Sequence, residues 1–185
     1  PVKKILIKNN RANGVMLENG TQIFADKVIS NLNPKLLFKK LVDENDVEQE
    51  YRRKILNYKC GSGTFRMNVA LSELPDFNCL PGKEISEHHK SGIVIAPSLT
   101  YMDQAFTDAK QYGWSKNPIV EMLIPSTVDS TLAPEGKHVA SLFCQQFAPT
   151  LPGNKSWHDE KFNAANTIIE TVNRFAPNFK DSILG

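Results

Sequence analysis

The residues best placed to do chemistry open in "CGSGTFRMNVAL", Cys60 to Leu71, which begins like a phosphate loop. A dinucleotide fingerprint needs three glycines between a strand and a helix, so that backbone N–H groups and the helix dipole hold a pyrophosphate. Gly61 and Gly63 are in place, but the third glycine position is Arg66. Thr64, Arg66 and Asn68 then alternate with Phe65, Met67, Val69 and Leu71, the period of a strand. The glycines therefore read as a bend entering a sheet. A metal site would draw on Cys60, Cys79, His88 and His89, yet zinc ligands come in close pairs such as C-x2-C, and no such pair exists. His88 and His89, beside Glu87 and Lys90, read as a solvated helix face. A nucleophile (Ser62, Cys60 or Cys144, with His138 as base) would need its base held alongside, and no G-x-S-x-G elbow is present. Cys144 falls in an apolar strand and reads as core.

The strand itself is the better clue. Its apolar face would pack on helices, while Thr64, Arg66 and Asn68 share the other. In an antiparallel sheet covered on one side, that face meets bulk water, the commoner case, or a ligand cavity. In a cavity, Arg66 would hold a carboxylate or phosphate.

The elements that must position this strand follow from the pattern of the chain. With 185 residues, 41% apolar, and 22 basic against 20 acidic side chains, the chain can bury one sizeable core, or a core plus an appendage, so length allows one or two units. No basic run interleaved with aromatics points to nucleic acid. No apolar stretch approaches the roughly 18–20 residues of a spanning helix. Three cysteines at unrelated spacings suit a reducing compartment and a cytoplasmic location, with a mitochondrial or membrane-peripheral one left open. The start at Pro1, directly in a strand pattern, reads as a cut inside a longer protein.

Val2–Lys8, Gly14–Glu18 and Gln22–Ser30 form a β-meander, with Asn19–Gly20 as the strongest hairpin turn. Asn33 caps a helix starting at Pro34, with Leu37, Phe38 and Leu41 inward. Asn45 and Glu48 resemble a capping box for a second helix. After the Cys60–Leu71 stretch come a short strand in Gly92–Ser98, and a helix capped by Ser98 and stopped at Gly113. Two antiparallel strands, "PIVEMLIPS" and "KHVASLFCQQFAP", precede a long helix with Phe162, Ala165, Ile169, Val172 and Ala176 along one face. Strand runs and helix runs segregate. The fold class is α+β, an antiparallel-rich mixed sheet with helices on one side, preceded by the small meander, with the seam at Asn31–Pro34.

The stretches "VKKILIKNNRANGVMLENGTQIFADKVISNLNP", "GTFRMNVALSELPDF" and "RFAPNFKDSILG" resemble phytoene-dehydrogenase-like flavoproteins of the FAD-dependent amine oxidase superfamily. The resemblance covers nearly the whole chain. It implies that residues 1–32 are a meander belonging to the FAD-binding domain, and that residues 33–185 are a substrate-domain portion. It also implies that Ser30 and Asn31 pass close to FAD. The family's glycine finger is absent from these residues, so the chain alone is expected to bind FAD weakly or not at all and to be inactive. The implied reaction is hydride transfer from a substrate carbon to flavin, and the implied partner is a small-molecule substrate. A long apolar one would need a greasy tunnel, to which Phe65, Met67, Phe143 and Phe147 can contribute, although a plain core is the ordinary role of such residues. The polar face carrying Thr64, Arg66 and Asn68 then looks into the substrate cavity. Apolar surface left bare by a missing domain would support a dimer. The competing expectation is a binding or regulatory module that keeps the fold without turnover.

Overall fold

A computed structural model describes residues 1–61 and 63–185; Ser62, weighed above as a nucleophile, lies outside the described residues. The chain divides into two compact units, Pro1–Cys60 and Gly61–Gly185, a division downstream of the seam read at Asn31–Pro34.

The first unit opens with the meander β1 (Val2–Lys8), β2 (Arg11–Leu17) and β3 (Gln22–Phe24), paired antiparallel in that order. Its tightest turn is Asn9–Asn10, where both residues take positive φ (52° and 57°) and Lys8 pairs with Arg11. Those angles suit a two-residue hairpin, and asparagine tolerates them because its short amide bonds locally. β2 therefore starts three residues earlier than its glycine suggests. The Asn19–Gly20 turn is also present, with Gly20 at φ 86° and the Asn19 side chain accepting from Thr21 N–H at 3.1 Å. β3 is shorter than expected. It is an edge strand with all its residues exposed, and nothing on its far side extends the ladder through Ser30.

Asn33 caps α1 (Pro34–Leu36) as its sequence requires, accepting from Lys35 N–H at 2.9 Å, and a π turn, Leu37–Leu41, continues it. The capping box read at Asn45 and Glu48 does not form. Asp43 instead accepts from Asn45 N–H, holding a short turn, while its carboxylate also pairs with Lys4 at 3.0 Å. These bonds hold the Asp43 carboxyl below its ordinary value, the Lys4 hydrogen bond foremost. The helix α2 (Gln49–Asn57) begins without a side-chain cap, and Tyr51 meets Phe38 edge-on at 5.4 Å.

The second unit is built on a four-stranded antiparallel sheet in the order β4 (Gly63–Leu71), β7 (His138–Phe147), β6 (Trp114–Leu123), β5 (Ile93–Ile95). Helices α4 (Leu99–Tyr112) and α5 (Trp157–Phe175) carry the rest of the apolar surface, between the short helices α3 (Glu87–Lys90) and α6 (Phe179–Ser182). Val69 and Leu71 of β4, Leu142 and Cys144 of β7, and Val120 and Met122 of β6 form one core with Ile168 and Val172 of α5. Phe65, Phe147 and Trp157 stack at one end of it, and Trp157 Nε1 donates to the Ala148 carbonyl at 3.0 Å. Phe65, Met67 and Phe147 are therefore core-side residues, and of the four residues expected to line a tunnel Phe143 alone lies on the opposite face.

The buried face of α5 is turned by about one position from the one expected. Ala164, Ile168, Thr171 and Val172 face the sheet, and Phe162 is 70% exposed. Small Ala164 lets the helix lie close to the sheet. Thr171 is tolerated there because its hydroxyl donates to the Thr167 carbonyl at 2.8 Å. Ser98 caps α4 through Tyr101 N–H at 3.1 Å, and Gly113 ends it at φ 98°.

A Cβ at Gly113 would sit 2.7 Å from Leu151 and 2.9 Å from Pro152, in a left-handed backbone that L-residues resist. Gly113→Ala should therefore destabilise the chain by about 2 kcal/mol, combining the left-handed and overpacking costs. Urea unfolding followed by tryptophan fluorescence checks it, and an unchanged midpoint would contradict the close packing at the end of α4.

Candidate functional site

The face of the sheet turned away from α5 is exposed along β4 and at Glu121, Leu123 and Val94, while Ile119 on the same side of β6 is buried. Period-two alternation puts Thr64, Arg66 and Asn68 there, all three exposed, as the sequence predicts for β4. Antiparallel register brings the neighbouring strands' outward residues beside them. Arg66 faces Phe143, Phe143 faces Glu121, and Glu121 faces Val94, so one row crosses all four strands. In the next row Asn68 faces Ser141, and Ser141 faces Leu123. The Arg66 guanidinium donates to Ser141 Oγ at 3.0 Å, and the Gln145 amide donates to Glu121 Oε1 at 2.9 Å. Among the described residues no carboxylate pairs with Arg66. The face can thus offer a guanidinium with donors to spare, flanked by a hydroxyl and an aromatic ring.

Ser141, Glu121 and Gln145 were not singled out from sequence. Their signal was there: "VASLFCQ" and "VEML" each alternate buried and outward residues, and the two strands read as antiparallel partners. What the sequence withholds is the register that sets Ser141 within reach of Arg66.

Ser30 and Asn31 lie in the first unit, exposed, in an extended stretch before α1. They border a groove of about 520 Å³ whose wall is mainly apolar, including Val28, Ile29 and Leu32. Ser30 Oγ accepts from Leu32 N–H at 3.3 Å. Beside that apolar wall they present an exposed hydroxyl and an exposed amide. They do not make a cradle for a pyrophosphate.

The other chemical candidates have structural places. Cys144 is fully buried on the core face, and desolvation pushes its thiol up to about 12, so it is no nucleophile at neutral pH. Cys60 and Cys79 are exposed. His89 is not a solvated residue as expected: it is wholly buried. Its Nδ1 accepts from Ser86 N–H at 3.2 Å, leaving Nε2 to donate to the Pro75 carbonyl at 3.0 Å. The ring pins the Pro75 loop to α3. His88 stacks on it with centroids 3.9 Å apart. His138 sits beside Ser126, Nδ1 to Oγ 3.4 Å, at the head of β7.

No family model matches the chain. Over a match of 190 aligned positions that covers the whole chain, it is 34% identical to pyridine nucleotide-disulfide oxidoreductase domain-containing protein 2 of Rattus norvegicus, and it covers 33% of that protein. It is 29% identical to a chloroplastic prolycopene isomerase 2 of an Oncidium hybrid cultivar, over 99% of the chain and 28% of the relative. A zeta-carotene-forming phytoene desaturase of Myxococcus xanthus is 25% identical over 138 residues, 74% of the chain and 23% of that protein. A solved oxidoreductase from Methanosarcina mazei shares the fold, with a TM-score of 0.53 at 20% identity over 95% of this chain and 33% of that one. The chain thus spans about a third of the length of the curated relatives it matches. These relatives bear out the resemblance to phytoene-dehydrogenase-like proteins read from the hairpin and the terminal segments.

Burial, and then the nearness of His89, pushes the His88 and His138 imidazoles below their ordinary value. The unfolded chain therefore binds protons that the folded one refuses. Their contribution is fully present above the ordinary imidazole value and is lost as pH falls below it. The melting temperature should drop on going from neutral pH toward pH ~5, above the carboxylate range. His138→Gln should flatten that limb. A limb equally steep in His138→Gln would remove this histidine from the account.

Proposed function

We propose that the chain is the central, mainly substrate-domain part of an FAD-dependent oxidoreductase that takes a hydride from a substrate carbon. Residues 1–32 would belong with the flavin-binding domain and residues 33–185 with the substrate domain. The observation that carries this reading is the open sheet face. One side of the sheet is sealed by α5, while the other presents Thr64, Arg66, Asn68, Ser141 and Phe143. Relatives named for oxidoreductase, prolycopene isomerase and phytoene desaturase activity support the reaction class and an apolar element in the substrate.

When bound, the flavin would supply the electron sink, which is why no acid–base pair stands out among these side chains. What this chain contributes is placement. Arg66 would grip a polar end of the substrate, Ser141 would hold the guanidinium in position, and Phe143 would keep water from the substrate body. Ser30 and Asn31 would touch one edge of the cofactor. A small-molecule substrate is the partner this reading requires.

Two measurements on the longer protein test it. The purified protein should carry flavin absorbance, and a colourless preparation that takes up no added FAD would favour a binding or regulatory module instead. Arg66→Ala should lower kcat/KM by roughly 10- to 100-fold, the loss of a charge-assisted hydrogen bond, with flavin content unchanged. Unaltered kinetics would take Arg66 out of the site.

A further inference from the structure

Polarity on the open face is graded from one edge of the sheet to the other. The β4 edge is polar and cationic, with Thr64, Arg66 and Asn68 exposed. Phe143 occupies the middle of the row. Toward the far edge exposed apolar residues join Glu121 on the outward side: Leu123 of β6 is 53% exposed and Val94 of β5 62%, while Ile119 of β6 is buried. From β4 to β5 is three strand spacings, about 14 Å.

Charge fixes a direction along this gradient. Arg66 donates to neutral Ser141 Oγ, and among the described residues it has no carboxylate partner. A planar guanidinium in that state matches a carboxylate in two-pronged geometry. Glu121, the acidic residue in the same row, is held by Gln145 and repels an anion from the β6 side. A bound molecule with a negative end would therefore place it at Arg66. Its apolar body would run over Phe143 toward Leu123 and Val94.

Resting on the reading of this face as a substrate wall, we propose that it takes an amphiphilic carboxylate, an apolar chain whose carboxylate is gripped by Arg66. The substrate class differs from a neutral hydrocarbon by that single charge. An acyl chain of medium length would cover the Phe143–Val94 stretch.

The test is an amide-resolved NMR titration of the 185-residue chain with dodecanoate below its micelle concentration, beside dodecanol, acetate and dodecyl phosphate. Dodecanoate should shift amides of residues 64–68 and 139–145. Binding should weaken at least tenfold in Arg66→Gln and in Phe143→Ala, and partly recover in Arg66→Lys. Dodecanol and acetate should each bind at least tenfold more weakly than dodecanoate, since each lacks one half of the ligand. The spectra themselves report that the variants remain folded. Equal binding of dodecanol, or dodecanoate binding indifferent to Arg66→Gln, overturns the carboxylate grip, and so does the absence of shifts on this face. Tighter binding of dodecyl phosphate overturns the choice of carboxylate. Flavin in the longer protein is measured separately. A yellow protein whose sheet ignores dodecanoate loses this substrate class and keeps the oxidoreductase reading, and a colourless one whose Arg66 binds dodecanoate does the reverse.

Discussion

The second unit depends on the antiparallel register between β4 and β7. Side chains alternate with a period of two, so slipping one strand by a single residue would exchange its faces. Phe65, Met67 and Val69 would then meet solvent, and Arg66 and Asn68 would enter the apolar core. Burial of Val69, Leu71, Leu142 and Cys144 makes that slip prohibitively costly. Gly63 reinforces the pairing at the strand's entry. It lies opposite Phe147, so close to the Phe147 carbonyl oxygen that a Cβ would collide with it. The glycine that made Cys60–Leu71 resemble a phosphate loop is thus required by a strand, for close approach of two backbones.

Much of the local structure was legible because it rests on neighbours in sequence. Asn33 before Pro34, Ser98 before its helix and Gly113 after it each act within a few residues, and each appears where the sequence puts it. The same locality explains two errors. Asn9–Asn10 is a less familiar turn than Asn19–Gly20, although both of its residues reach positive φ. Asn45 does not cap α2, which begins without a side-chain cap; Asp43 instead caps the short turn Glu44–Asp46, its carboxylate serving Asn45 N–H and Lys4 together. The third strand stops at Phe24, short of its sequence pattern, for a different reason. A strand needs partners on its flanks, and pattern alone does not supply them.

Residues whose roles are set by distant contacts were harder to place. His89 sits between charged neighbours in sequence, yet its burial is decided by the Pro75 carbonyl, fourteen positions away. In α5, Phe162 looked like an anchor by hydrophobicity, but contact with the sheet selected the smaller Ala164 and Thr171. The candidate site shows the same divide. Thr64, Arg66 and Asn68 were visible as one face of one strand. Ser141 belongs beside Arg66 only because β7 pairs with β4 in one register out of many.

That register also bears on the choice between a solvated face and a cavity wall. A sheet surface built for water carries polar side chains along every strand. Here only the β4 edge does so consistently, while Phe143, Leu123 and Val94 lie outward on the other three strands. Exposed apolar residues scattered singly mean little. These share two adjacent rows with a guanidinium at one end and with Glu121, which lies between Phe143 and Val94. Such a surface costs free energy in water and gains it against an apolar body. The positive charge at Arg66, with the Glu121 carboxylate two strands away in the same row, then acts as an orienting element, because the apolar side chains by themselves would hold a greasy molecule equally well in either direction.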